Sequence, residues 1–199
     1  MKSKQTDRRW IIVRIDGKIA AVSTDYRQLA TISAHLAKTQ QDESGIFYEI
    51  TATAVSFDDV WKLRNEAHWE EFMLFGTDFQ KKVWRKLWDL THHPSDNGPV
   101  RLISYSDFAS LCQNRAGVRA VAHAIGLNPV SVIIPCHLVI PKESIDRINE
   151  IQRKAETTIF KGEDLCTSKI LNDTSIDFGE YSLGKDLKRE LILHEPLTL

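Results

Sequence analysis

Cys136 and His137 stand side by side behind Pro135, inside an apolar run that extends from Val130 to Ile140. Together they can do chemistry that neither does alone. A thiol is a good nucleophile only as thiolate, and at its free pKa of about 8.5 only a few per cent ionises near neutrality. An imidazole that takes the proton, directly or through a water, removes that limit. Neighbours in a flat strand point to opposite faces, so Pro135 matters: it fixes φ and favours a bend that brings both side chains to one pocket. The alternative is a core cysteine packed as a small hydrophobe beside a hydrogen-bonded histidine. The run itself reads as a buried strand or strand pair.

The residues around the pair fall in ordered runs. Upstream lie Gly76-Thr77-Asp78-Phe79-Gln80, Ile103-Ser104-Tyr105, a helical stretch with Val118-Arg119-Ala120-Val121, and Asn128-Pro129. Downstream, Gly179-Glu180-Tyr181-Ser182-Leu183-Gly184 leads to Lys188 and then to His194-Glu195. This order resembles the alkylguanine-DNA alkyltransferases, or methylated-DNA–protein-cysteine methyltransferases, from Gly76 to Ile140 and again from Gly179 to Glu195.

That resemblance implies DNA repair by direct, single-turnover transfer of a methyl or alkyl group from O6 of guanine, or O4 of thymine, onto Cys136. It implies His137 as the base, Glu195 as the carboxylate that orients it, and Asn128 as the brace of the cysteine turn. This is the nucleophile–base–orienter logic of a triad. It further implies Tyr105 as donor to the purine ring, Ser182 as donor to the guanine oxygen, and Val139 and Tyr181 beside them in the substrate pocket. A base inside a duplex must be flipped out to reach a thiol, and Arg119 matches the residue the family inserts into the stack from the minor groove. The implied partner is double-stranded DNA carrying alkylated bases, bound by a monomer without cofactor or metal. The implied fold is α/β: a small ribonuclease H-like N-terminal domain over 1–74, then a mainly helical winged helix-turn-helix domain over 75–199.

Two features depart from the pattern. Where the family has Arg after Cys-His, this chain has Leu138. An insertion at about 141–178 separates the cysteine run from the Tyr181-Ser182 loop; its Ile145, Ile148, Ile151 and Ala155 are spaced as one face of a helix. That segment holds six basic and eight acidic residues, so it is a poor phosphate clamp, and it reads as surface decoration dispensable for chemistry. Three readings therefore stand: a repair alkyltransferase, a non-catalytic alkyltransferase-like module that flips damage and recruits other repair, and a Cys-His hydrolase unrelated to DNA.

Composition narrows the setting. At 199 residues, 42% hydrophobic and 27% charged, the chain has room for one ordinary domain or two small ones and the balance of a soluble protein. No apolar stretch approaches the roughly 20 residues that span a bilayer, and the charged start MKSKQTDRRW is not followed by a secretory apolar segment. Three cysteines, Cys112, Cys136 and Cys166, without a CxxC pair argue against a disulfide framework or zinc site and for a reducing cytoplasm. The net charge of -1 carries no nucleic-acid signature, although Gly76–Ile140 holds seven Lys/Arg against four Asp/Glu.

The positioning elements are legible from local chemistry. Asp16-Gly17 joins strands Arg9–Ile15 and Lys18–Ser23 as a hairpin. Thr24 or Asp25 opens a helix to about Thr39, residues 40–45 form a loop, and the alternation of Phe47–Val55 predicts a third strand. Ser56 with Asp59, and Thr77 with Gln80, make capping boxes for helices carrying Val60, Leu63 and Ala67, and Phe79, Val83, Leu87 and Leu90. His92-His93 opens a solvated loop to Pro99. Ser104 with Asp107 opens a helix to about Cys112, and Ala116–Leu127 forms a second across a short turn, the dimensions of a helix-turn-helix.

Overall fold

The structure, a computed structural model, describes residues 8–24, 26–27, 30–32, 34, 48–92, 100–156, 170 and 173–195. The loops expected at 40–45 and 93–99, Cys166 and most of the helix expected over 24–39 lie outside them. The chain divides into two units, Met1–Trp88 with Leu127–Cys136, and Asp89–Gly126 with His137–Leu199. The boundary between them in the chain falls at the Cys136–His137 peptide.

In the first unit, β1 (Trp10–Ile15) and β2 (Lys18–Ser23) form the expected antiparallel hairpin. Asp16 (φ 48°) and Gly17 (φ 77°) both take positive φ, as the tight turn that matches strand twist requires. A register shift after Val13 marks a bulge. β3 (Ile50–Val55) pairs antiparallel with β1, giving the order β2-β1-β3. It is shorter than expected, and Ile50–Ala54 are all exposed. Among the described residues β3 pairs only with β1, so alternation in its sequence meets no second layer. The free edge of β2 takes the residues after Asn128: Val22 N–H donates to Pro129 O (2.9 Å) and Ser131 N–H to Val22 O (3.1 Å).

Helix α1 (Phe57–Glu66) begins at the predicted box, Asp59 N–H to Ser56 Oγ at 3.1 Å and Ser56 N–H to Asp59 Oδ2 at 3.0 Å. The Ser56 hydroxyl, which donates to Asp59 Oδ2 at 2.6 Å, and then the Ser56 N–H hold the Asp59 carboxyl below its usual range. Helix α2 (Asp78–His92) begins at the other, Gln80 N–H to Thr77 Oγ1 at 3.2 Å and Thr77 N–H to Gln80 Oε1 at 2.8 Å. Its buried stripe is Val83, Trp84, Leu87 and Trp88, whereas Phe79, expected in the stripe, is exposed.

In the second unit, β4 (Ile103–Ser104) runs parallel to β5 (Val139–Ile140), pairing Ile103 with Val139 and Ser104 with Ile140. Ser104 then caps α3 (Tyr105–Leu111), its Oγ accepting from Asp107 N–H at 3.1 Å. A short turn through Gln113 (φ 57°) and a 3-10 turn at Arg115–Gly117 lead to α4 (Val118–Gly126), so the predicted helix–turn–helix succession is present. Helix α5 (Lys142–Glu156) follows, and α6 (Lys185–His194) closes the described chain. Ile145, Ile148 and Ile151 of α5 do form a buried face, as their spacing predicts. They do not sit on a finished surface, however. They share one core with Ile140, Ile176, Phe178 and Ile192, the residues beside β5, the Tyr181 loop and Glu195.

Candidate active site

Cys136 and the turns that present it belong to the first unit. The buried run Val130–Ile140 is not the strand pair its composition suggests; it is a series of tight turns that becomes a strand only at β5. Ile133 N–H donates to Ser131 O at 2.9 Å, closing a three-residue turn around Val132, whose φ is +73°. That is the positive-φ γ-turn, rare and strained for a β-branched residue. A second three-residue turn, of the inverse, negative-φ kind, is closed by Cys136 N–H to Ile134 O at 2.8 Å and centred on Pro135. The fixed φ of proline suits it, so Pro135 supplies the bend expected of it.

What holds turns in place of a strand is Asn128. It is buried, its Oδ1 accepts from Val130 N–H at 3.1 Å, and its Nδ2 donates to Ile134 O at 2.9 Å and to Cys136 Sγ at 3.1 Å. The backbone polar groups that a ladder would have satisfied are met by one carboxamide and by the edge of β2. A donor at 3.1 Å from the sulfur also favours its charged form. Cys136 itself is 4% exposed, and it opens a 3-10 turn that continues through His137 to Leu138.

His137 and Glu195 belong to the second unit. His137 Nε2 lies 2.6 Å from Glu195 Oε1, across 58 residues of sequence, with both side chains fully buried. Glu195 is placed there as the C-cap of α6, whose Leu187, Leu191 and Ile192 are buried. A buried carboxylate bonded to one ring nitrogen fixes the tautomer and the ring plane. Leu138, the departure from the family pattern, is fully buried and serves as core.

Lys188, not singled out as a site residue from sequence, is 1% exposed. Its Nζ donates to Val139 O (2.7 Å), to Glu180 O (3.4 Å) and to Tyr105 Oη (3.4 Å), and lies 5.6 Å from the Tyr105 ring centre. One ammonium thus gathers β5, the segment before Tyr181 and the start of α3. A signal existed: Lys188 falls on the same helical face as Leu191 and Ile192, where an apolar residue is expected. Val139 is buried, Tyr105 and Tyr181 are half-buried, and Ser182 is exposed beyond them. Arg119 is exposed on α4. Among the described residues no three His, Cys, Asp or Glu side chains cluster as metal ligands, and no helix is long and apolar enough to cross a membrane.

Residues 78–157 match the family model of the 6-O-methylguanine DNA methyltransferase DNA-binding domain. The chain is 42% identical over 71 residues to the probable methylated-DNA–protein-cysteine methyltransferase of Acanthamoeba polyphaga mimivirus, covering 36% of this chain and 43% of that one. It is 45% identical over 67 residues to the inducible enzyme of Bacillus subtilis, covering 34% of each. The chain therefore spans less than half the length of these curated relatives. Among solved structures, the O6-methylguanine-DNA methyltransferase of Pyrococcus kodakaraensis is similar over 98% of this chain and 95% of its own, at 21% identity and a TM-score of 0.49. The Mycobacterium tuberculosis OGT in complex with DNA is similar over 43% of this chain and 52% of its own, at 31% identity and a TM-score of 0.35. The stretch that is similar to this domain, residues 78–157, includes Asn128, Cys136, His137 and α4.

Proposed function

We propose that this protein repairs DNA by moving a methyl or alkyl group from O6 of guanine, or O4 of thymine, onto Cys136, once per molecule. The observation that carries the reading is the 2.6 Å bond between buried His137 and buried Glu195, at the residue next to a cysteine that Asn128 braces. A core histidine needs no carboxylate taken out of water to pair with it; a base that must stay in one tautomer does.

In the mechanism, His137 takes the thiol proton through a water and Glu195 stabilises the resulting imidazolium. The Sγ–C bond forms as the C–O6 bond breaks, and the electron pair of that bond stays on the guanine. Donors near the oxygen and the ring then offset the developing anion; Ser182 and Tyr105 hold those roles, with Val139 and Tyr181 lining the pocket. The substrate is duplex DNA entered from the minor groove, with Arg119 of α4 filling the space of the flipped base. The finer architecture belongs to the same reading: a ribonuclease H-like N-terminal domain over 1–74 and a winged helix-turn-helix domain over 75–199, acting as a monomer in the cytoplasm.

The test is incubation of the whole chain with a duplex containing O6-methylguanine, followed by intact mass and peptide mapping. The expected result is one added CH2 per chain, on the peptide that contains Cys136. Binding of the duplex without a mass gain would favour the non-catalytic module instead.

A further inference from the structure

We infer that the inserted helix α5 is a positioning element for the Tyr181-Ser182 loop, with Ser144 as its key residue; this rests on the alkyl-transfer reading above. Ser144 lies in the first turn of α5, is 5% exposed, and donates through Oγ to Asp177 O at 2.5 Å, across 33 residues of sequence. Asp177 is four residues before Tyr181, so this bond ties the inserted helix to the strand of chain that enters the loop.

Three further observations converge on the same segment. Ile145, Ile148 and Ile151 pack in one core with Ile176 and Phe178, on either side of Asp177. Arg189 of α6 donates to Ile176 O at 2.8 Å and lies over the Phe178 ring at 4.7 Å, which holds the segment from the other side. Gly179 then turns with φ +84°, passing so close to Pro141, the residue before α5, that a Cβ there would lie 3.1 Å from the proline ring. Beyond it, Glu180 O receives Lys188, and Lys185 Nζ meets Glu180 Oε1 at 2.7 Å. Every residue from Ile176 to Glu180 is therefore held by α5, by the residue preceding it, or by α6. Ser182 follows this run by two residues, so its place depends on it. A displacement of about 1 Å in a donor aimed at a developing charge is enough to cost up to a hundredfold in rate.

The experiment compares the full chain with Ser144→Ala, Ser144→Thr, Ser182→Ala and the double variant Ser144→Ala/Ser182→Ala, using a duplex with O6-methylguanine. Ser144→Ala should lower the maximal transfer rate about tenfold, with the half-saturating DNA concentration and the reaction of Cys136 with iodoacetamide each within about twofold of wild type. Ser144→Thr, which keeps the hydroxyl, should restore the rate, and Ser144→Ala should cost little more once Ser182 is already Ala. Amide hydrogen exchange should quicken at residues 178–183. A Ser144→Ala rate equal to wild type, or a loss that multiplies with that of Ser182→Ala, would overturn the inference. If wild type never alkylates Cys136, the functional reading fails; unchanged exchange at 178–183 in Ser144→Ala overturns the positioning role by itself.

Discussion

Asn128 Nδ2 lies 3.1 Å from Cys136 Sγ and 2.9 Å from Ile134 O, so one carboxamide donates both to the cysteine sulfur and to the turn that presents it. Asn128→Ala should therefore fail in two separable ways. Leaving a buried carbonyl without its donor costs about 1–3 kcal/mol of stability, readable by denaturant unfolding. Loss of the donor to sulfur should also move the pH profile of Cys136 alkylation toward higher pH, because the thiolate is less favoured. A profile that stays put would restrict Asn128 to a structural role.

Cys136→Ala should abolish alkyl transfer while DNA binding persists. Cys136 has the adjacent base and the Asn128 donor, and no histidine adjoins Cys112 in the sequence. Methyl recovered on Cys112 or Cys166 of the wild type would remove the assignment.

His137 and Glu195 form one buried unit, and their losses should not multiply. His137→Gln or Glu195→Gln should each slow transfer by about 10²- to 10⁴-fold, and the double variant should be no slower than the worse single one. Single-turnover rates decide this, and a double loss equal to the product of the two singles would break the relay. Glu195→Ala should in addition destabilise the fold by about 3–5 kcal/mol, since it strips a buried pair of one partner.

Arg119→Ala should slow repair of methylated duplex more than reaction with a free O6-alkylguanine base, because only the duplex must be opened. Equal slowing on both would assign Arg119 to the chemistry or the fold.

Lys188→Met keeps the length of the side chain and removes its donors. Val139 O and Glu180 O then lose a partner, which should cost about 1–3 kcal/mol for each carbonyl that stays buried. The rate on free alkylguanine should fall while the reaction of Cys136 with iodoacetamide is unchanged. Parallel loss of both would mean that Lys188 supports the thiol and not the pocket.

Much of the fold was legible because the bonds that decide it are local. The Asp16-Gly17 turn and the boxes Ser56/Asp59 and Thr77/Gln80 each close within three residues, so sequence neighbours suffice to specify them. The isoleucines of α5 announced a helix through their spacing in the same way. The Val130–Ile140 run was misread for the opposite reason. Buried turns and buried strands share an apolar composition, and what selects turns is whether distant groups satisfy the backbone. Here Asn128 and the β2 edge do so.

The sequence by itself determined the adjacency of Cys136 and His137, the bend at Pro135 and the order of motifs, because covalent adjacency and residue type carry those facts. Only tertiary structure decided that the Glu195 carboxylate is fully buried on His137 Nε2. It likewise decided that Lys188 gathers Tyr105, Val139 and Glu180, and that the isoleucines of α5 share a core with Ile176 and Phe178. Each of these depends on groups dozens of residues apart meeting in a dry interior, and no local pattern encodes which distant partner arrives.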